Sequence, residues 1–246
     1  MDGPKLDGRT VLVTGSGRGL GRAIALAAAE RGARVAVHYH TSADAAAAVA
    51  ETAEERGAPA TTAVQADVTD PDSVDGLFAT IETELGPVEC LVNNVGDFAP
   101  NHWADIDIDT WQRVFDTNLT ATWLCSKRAL PTMHDRSFGR IVNVGYASAA
   151  KGLVNPKNFP YFAAKAGVLM FTRMLAADTQ DDGITVNAVS PYVVENSAEF
   201  PDELPRGRPA SFDDVTRPIL FFLDPANEYV SGENLEVDGG WLPENV

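Results

Sequence analysis

Short apolar runs alternate with helical segments along the chain, at a spacing of roughly 25 to 35 residues, and no other feature restricts the fold as much. The runs are Thr10–Thr14, Arg34–His38, Thr62–Ala66, Val88–Val92, Arg140–Val144, Thr185–Val189 and Asn234–Val237. Helical stretches fall between them. An Ala-rich one runs from Arg22 to Arg31 and stops at Gly32, and a second leads from Asp44 to Arg56. Asp70 and Pro71 open a third, with Asp70 as the cap and Pro71 at the first helical position. Longer ones cover Asp109–Leu130, Asn158–Ala177 and Ser211–Leu223. Strands joined through helices run parallel, and the helices cover both faces of the sheet. The pattern predicts an α/β fold, a single doubly wound Rossmann-type domain over residues 1–246 with no linker or break in composition. The one irregular stretch, Tyr192–Ala210, contains Pro201, Pro205 and Pro209 and follows a strand. Ligands bind beyond the carboxyl ends of strands in such sheets, so residues 192–210 are expected to form a substrate loop.

Composition limits the partners. The net charge of −16 argues against nucleic acid and against an anionic membrane surface. No apolar run reaches the ~18 residues needed to span a bilayer. The polar start, Met1 to Thr10, lacks an apolar signal region, and a cytoplasmic protein is expected. Arg outnumbers Lys by 14 to 5, and such an acidic, lysine-poor surface suits high salt, so a salt-loving source is expected. Cys90 and Cys125 lie in apolar segments and read as small core residues. The four His have no metal-ligand spacing, and no metal is expected.

Chemistry enters with Tyr161 and Lys165. Four residues apart, they share one face of a helix. A phenol normally loses its proton near pH 10, and a close ammonium lowers that value. The pair can then act as a general acid/base between a carbonyl and an alcohol.

A second signal sits between the first strand and the first helix. Gly15-Ser16-Gly17-Arg18-Gly19-Leu20-Gly21 lets backbone N–H groups approach a pyrophosphate at a helix N-terminus. Its spacing, Gly-x-x-x-Gly-x-Gly, departs from the commoner Gly-x-Gly-x-x-Gly. NAD-binding folds place an acid about 20 residues further on, against the ribose 2′-hydroxyl. Here the second strand ends in Tyr39, His40, Thr41 and Ser42 with no acid. These groups, with Arg18, suit a 2′-phosphate, so NADP(H) is expected over NAD(H). His38 reads as an ordinary strand residue, whereas His40 stands where the strand should end at the cofactor.

Taken in order, Thr14-Gly15-x-x-x-Gly19-x-Gly21, Asn93-Asn94-Val95-Gly96, Asn118, Tyr161-x-x-x-Lys165 and Ser190-Pro191 resemble the short-chain dehydrogenase/reductase family from Arg9 to about Trp241. The resemblance implies a mostly parallel seven-stranded sheet, a nicotinamide cofactor, a small-molecule substrate, and a homotetramer or homodimer. It implies that Tyr161 gives the proton, that Lys165 binds the nicotinamide ribose, and that Asn118 holds a water in a relay. Asp67 and Val68 would lie near the adenine. Asn94, Val95 and Gly96 would flank the cofactor, with Pro191, Val193 and Val194 at its nicotinamide end.

Three departures stand out. The family's catalytic Ser follows the fifth strand, three residues after an Asn, and counting from Asn143 that position is Tyr146. Counting back 13 residues from Tyr161 gives Ser148 instead. Ser148 is favoured as the third catalytic hydroxyl, with Tyr146 as the alternative. Tyr192 stands where the family has Gly after Pro191, and would crowd the nicotinamide end. The segment from Tyr192 to Arg208 is shorter than in typical β-ketoacyl reductases of the family. A further likeness is to the pteridine reductases. His38-Tyr39-His40-x-Ser42 and Asn93-Asn94-x-x-x-Phe98 resemble that branch, and Asp97, Phe98, Tyr146, Phe159 and Tyr192 would make a flat aromatic slot. The expectation is an NADPH-dependent reductase of a ketone or 3-oxoacyl-type carbonyl. A dihydropterin reductase is the alternative, and a non-catalytic NADP(H)-binding sensor or scaffold is the alternative of another class.

Overall fold

A computed structural model describes residues 5–147, 149, 156–197 and 200–241. Ser148 lies outside the described residues. Seven strands form one sheet: β1 (Thr10–Val13), β2 (Arg34–Tyr39), β3 (Thr61–Gln65), β4 (Val88–Asn93), β5 (Gly139–Val144), β6 (Ile184–Pro191) and β7 (Asn234–Val237). Every pairing is parallel, in the order β3-β2-β1-β4-β5-β6-β7. The order reverses between β1 and β4, which opens a crevice at their carboxyl ends.

Helices α1 (Gly19–Ala29), α2 (Ala43–Glu55), α3 (Pro71–Glu84), α4 (Ile108–Phe115), α5 (Ala121–Asp135), α6 (Phe159–Asp178) and α7 (Phe212–Leu223) cover the two faces. The strands bury residues of alternating parity on opposite sides. Val11, Val13, Val35 and Val37 pack with Ile24, Val49 and Ile219 on one face. Leu12, Ala36, Leu91 and Ile141 pack with Phe78, Ile81, Cys125 and Met133 on the other. Cys90 and Cys125 are both buried and free, and burial pushes each thiol up to about 12. Asp70 caps α3 by accepting the Ser73 N–H at 2.7 Å. Ser211 and Asp214 cap α7 reciprocally. No helix among the described residues is long and apolar enough to cross a membrane.

The helix expected over Asp109–Leu130 is not one regular helix. A π-helical turn, Asp116–Thr120, separates α4 from α5. Side chains bonding back to the helix explain the widening. Asn118 Nδ2 donates to the Val114 carbonyl at 2.8 Å, Thr117 Oγ1 to Arg113 at 2.8 Å, and Thr122 Oγ1 to Asn118 at 2.7 Å. The bulge turns Asn118 inward, fully buried.

Beneath the crevice, Asn93 and Asn143 face each other across β4 and β5. Asn93 Nδ2 donates to Asn143 Oδ1 at 2.8 Å and to Ser126 Oγ at 3.1 Å, and Asn143 Nδ2 donates to Thr172 Oγ1 at 2.9 Å. This polar ladder ties the central strands to α5 and α6, the helices that bracket the crevice.

Candidate active site

Several cavities open along the carboxyl ends of the strands: one of about 620 Å³ is lined by Tyr192, Pro205, Arg206, Val237 and Asp238 among others, and two others flank the switch point. The smaller, about 200 Å³, lies over β1, β2 and β3 and is lined by Gly15, Gly17, Arg18, Tyr39, His40, Thr41, Ser42, Asp67, Val68 and Val95, among others. Helix α1 starts at Gly19 without a side-chain cap, so its first N–H groups face this end unclaimed by a side chain. Arg18, His40, Thr41 and Ser42 are exposed at the rim. The Ser42 hydroxyl does not cap α2, although it stands at the cap position. Asp67 is oriented by Thr69, whose hydroxyl and N–H reach Oδ1 at 2.6 and 2.9 Å and hold the carboxyl below its usual range.

Not every predicted residue of the turn offers its side chain. Ser16 is buried, and its hydroxyl donates to the Val13 carbonyl at 2.8 Å and accepts the His38 N–H at 3.0 Å. The fold uses it, and its backbone N–H is taken as well, by the His38 carbonyl at 2.9 Å. Gly21 lies inside α1. His38, read from the sequence as an ordinary strand residue, is bonded through both ring nitrogens. Nδ1 accepts the Gly15 N–H at 2.9 Å, and Nε2 lies 3.1 Å from the Ala66 carbonyl. Burial lowers it to about 4, so it is neutral. The sequence signal was a polar residue at an inward position of a strand otherwise filled by Val and Ala.

The larger of the two switch-point cavities, about 600 Å³, brings together Leu20, Asn94, Gly96, Phe98, Asn118, Tyr146, Tyr161, Lys165, Pro191, Tyr192, Val193 and Val194. Asn158 and Phe162 also line it, and the sequence pattern did not single them out, whereas Ser197 and Phe200 come from the expected substrate loop. Asn158 starts α6 with φ of 59° and accepts the Ala99 N–H at 2.9 Å, which draws the loop after β4 over the site. Phe98 thereby meets the Tyr161 ring edge-on, at 6.0 Å. Tyr146 packs against Tyr161 at 5.6 Å.

Lys165 Nζ donates to the Val144 carbonyl at 2.6 Å and lies 5.7 Å from the Tyr161 ring centre. Burial lowers Lys165 to about 8 and pushes the Tyr161 phenol up. The lowered phenol expected from the Tyr–Lys spacing is therefore not found in the free protein. Desolvation outweighs the ammonium, which is engaged by a carbonyl instead. Tyr146 is raised for the same reason, with Tyr161 and Tyr192 adding to the effect.

Asn118 Nδ2 donates to the Asp97 and Val114 carbonyls, but its buried Oδ1 has no hydrogen-bond partner. A Cβ on Gly96 would collide with Asn118 and lie 3.3 Å from Lys165 Nζ. Only glycine leaves that cradle open, and an orphaned acceptor beside it fits a hydroxyl-bearing ligand. The uncapped α1 N-terminus fits a phosphate. The residues present thus suit a nucleotide stretched across both switch-point cavities.

The aromatic slot is only partly assembled. Phe159 is half exposed and packs against Trp111 at 6.0 Å, away from the cavity. Asp97 pairs with Arg113 and accepts the Phe98 N–H. Phe162, partly buried, packs instead against Tyr146 at 5.3 Å and Tyr161 at 5.9 Å. Tyr192 instead gains a partner from the end of the chain: its ring stacks on Trp241 at 3.9 Å and 14°. Among the described residues, Tyr192–Ala210 holds only one short 3₁₀ turn, Pro205–Gly207. Its base is tied by Ala210 N–H to Val193 at 2.8 Å and by Glu195 N–H to Ala210 at 2.9 Å.

A family model described as "Enoyl-(Acyl carrier protein) reductase" matches residues 15–242. The chain is 36% identical over 245 residues to the 3-oxoacyl-[acyl-carrier-protein] reductase FabG of Vibrio harveyi, covering 96% of this chain and 98% of that protein. It is 37% identical over 245 residues to the 3-oxoacyl-[acyl-carrier-protein] reductase of Synechocystis, at the same coverage. The crystal structure of a short-chain type dehydrogenase/reductase from Mycobacterium marinum superposes with a TM-score of 0.88 at 30% identity, covering 96% of both chains. With the parallel sheet, its switch point and the Tyr161–Lys165 helix at one crevice, these likenesses lead to one conclusion: the chain is an oxidoreductase that belongs to the short-chain dehydrogenase/reductase family.

Proposed function

We propose that the protein is an NADPH-dependent reductase of a 3-oxoacyl-type or simple ketone, with Tyr161 as the proton donor. The observation that carries this reading is the convergence of Tyr161, Lys165 and the unpaired Asn118 Oδ1 on one cavity. The relatives named as 3-oxoacyl reductases support the carbonyl class. The nicotinamide, when bound, supplies the hydride.

The protein's own residues do the rest. The phenol of Tyr161 keeps its proton at neutral pH because it is desolvated, which suits donation to a ketone oxygen. Lys165, near 8, exchanges a proton within the working range and lies beside Asn118 at the Gly96 cradle. The Val144 carbonyl holds that ammonium at the cavity wall. Tyr146, packed against Tyr161, adds a second phenol to the cavity lining. Arg18, His40, Thr41 and Ser42 present the charge and donors for a 2′-phosphate. Residues 192–210 act as the substrate loop, with Phe200 and Pro201 at the mouth.

A second reading, reduction of a dihydropterin C=N bond, is favoured by the ring walls of Phe98, Tyr146 and Tyr192. A panel of oxoacyl thioesters, simple ketones and dihydropterins, followed by NADPH oxidation in high KCl, separates the two. Turnover of none, with tight NADPH binding, returns the non-catalytic reading. We also take the protein to be a homo-oligomer. Trp111, Trp123, Met170 and Met174 on α4, α5 and α6 are exposed, and light scattering gives the mass.

A further inference from the structure

We infer that His38 is a positioning residue for the cofactor, holding the Gly15 turn in the shape that receives the pyrophosphate and fixing it to the strand end beside Asp67. This rests on the NADP(H) reading above and assigns a task to a residue outside the usual chemistry of the turn.

The geometry is specific. His38 is the last but one residue of β2 and is 1% exposed. Its Nδ1 accepts the Gly15 N–H, and its Nε2 faces a carbonyl, so a single tautomer, with the proton on Nε2, satisfies both nitrogens. The main chain of the same residue repeats the attachment. His38 N–H donates to Ser16 Oγ at 3.0 Å, and the His38 carbonyl accepts the Ser16 N–H at 2.9 Å. One strand residue thus grips two consecutive residues of the turn through three hydrogen bonds. A fourth, from Nε2 to Ala66, reaches the end of β3, and the next residue is Asp67.

The grip falls where the backbone most needs it. Gly15 has φ of +66°, a conformation with few natural restraints. Gly15, His38 and Asp67 all line the smaller cavity. A binding surface made of backbone N–H groups contributes most when it is ordered before the ligand arrives. An apolar residue at 38 would fill the same space without orienting Gly15. A buried imidazole is costly unless both nitrogens are bonded, and both are.

Two near-isosteric variants separate the two ring bonds. In His38→Asn the side-chain oxygen can take the place of Nδ1 and keep the Gly15 bond, with the Ala66 bond lost. In His38→Gln the amide can take the place of Nε2–H and keep the Ala66 bond, with the Gly15 bond lost. Each loses one buried bond, so a purely structural role predicts similar effects of both on cofactor affinity. The positioning role predicts an NADPH Kd about tenfold weaker in His38→Gln and within about twofold of wild type in His38→Asn, measured by calorimetry on the full chain. In the free protein, Gly15 amide exchange should be fast in His38→Gln and slow in His38→Asn. Equal Kd values for the two variants, or a wild-type Kd in His38→Gln, would overturn the inference while leaving the cofactor reading intact. A wild-type chain that binds no NADPH would remove both.

Discussion

The Lys165 ammonium is held at 2.6 Å by the Val144 carbonyl, so the last residue of β5 fixes the cation that α6 brings into the crevice. Burial makes this an expensive placement, and the cost should be measurable. Lys165 titrates near 8 when folded against 10.5 otherwise, so the unfolded chain binds more protons between those values. Stability of the wild type should therefore rise with pH through that window. Lys165→Met should remove the rise and gain on the order of 1 kcal/mol at pH 7, after the loss of one bond to Val144. Reduction should fall by about a hundredfold or more in the same variant. Urea denaturation at several pH values and an NADPH-oxidation assay check the two halves.

Tyr161→Phe should reduce turnover by roughly 10² to 10⁴ while leaving NADPH affinity near wild type, because only the donated proton is lost. Undiminished turnover would end the proposed role. The raised phenol also predicts a wild-type reduction rate with no loss attributable to Tyr161 up to pH 9 or so, readable in a pH series at saturating cofactor.

His38 makes an acid-side prediction. Its folded value of about 4 lies below the usual 6.5, so the unfolded chain takes up the proton first as pH falls. The contribution is complete above 6.5 and is lost between 6.5 and 4, by about 3 kcal/mol in total. The charged groups that face it act in opposite directions, His40 lowering and Asp67 raising its value. His38→Asn should flatten the stability profile in that window, measured by urea denaturation at stepped pH.

Trp241→Ala should release the Tyr192 ring. A stacked pair contributes about 0.5–1.5 kcal/mol, so KM for the ketone should rise up to about tenfold with kcat little changed. Tyr192→Gly should go further and admit bulkier carbonyls. A loss of kcat with constant KM in Trp241→Ala would place the stack in the chemistry instead.

The order of elements and most residues lining the two switch-point cavities were legible because they depend on local rules: alternation, Gly at a strand-to-helix turn, a four-residue helical spacing. What was not legible depends on contacts between distant residues. Nothing near Tyr192 announces Trp241, which arrives from the turn after β7. The π turn at Asn118 arises from side-chain bonds that compete with a helix whose composition reads as regular. The direction of the Tyr161 shift is not carried by the four-residue spacing, which reports the neighbour and not the burial. The task of His38 is hidden in the sequence because its partners, Gly15 and Ala66, belong to two other strands' ends.

The reversal of strand order between β1 and β4 divides the crevice into two inheritances. One half hangs from β1, β2 and β3 and is held by backbone bonds around a buried imidazole. The other lies toward β6 and β7, where Tyr192 stacks on Trp241 and Ala210 is tied to Val193 and Glu195. A lineage built on this plan can exchange one carbonyl for another while its source of reducing power stays the same.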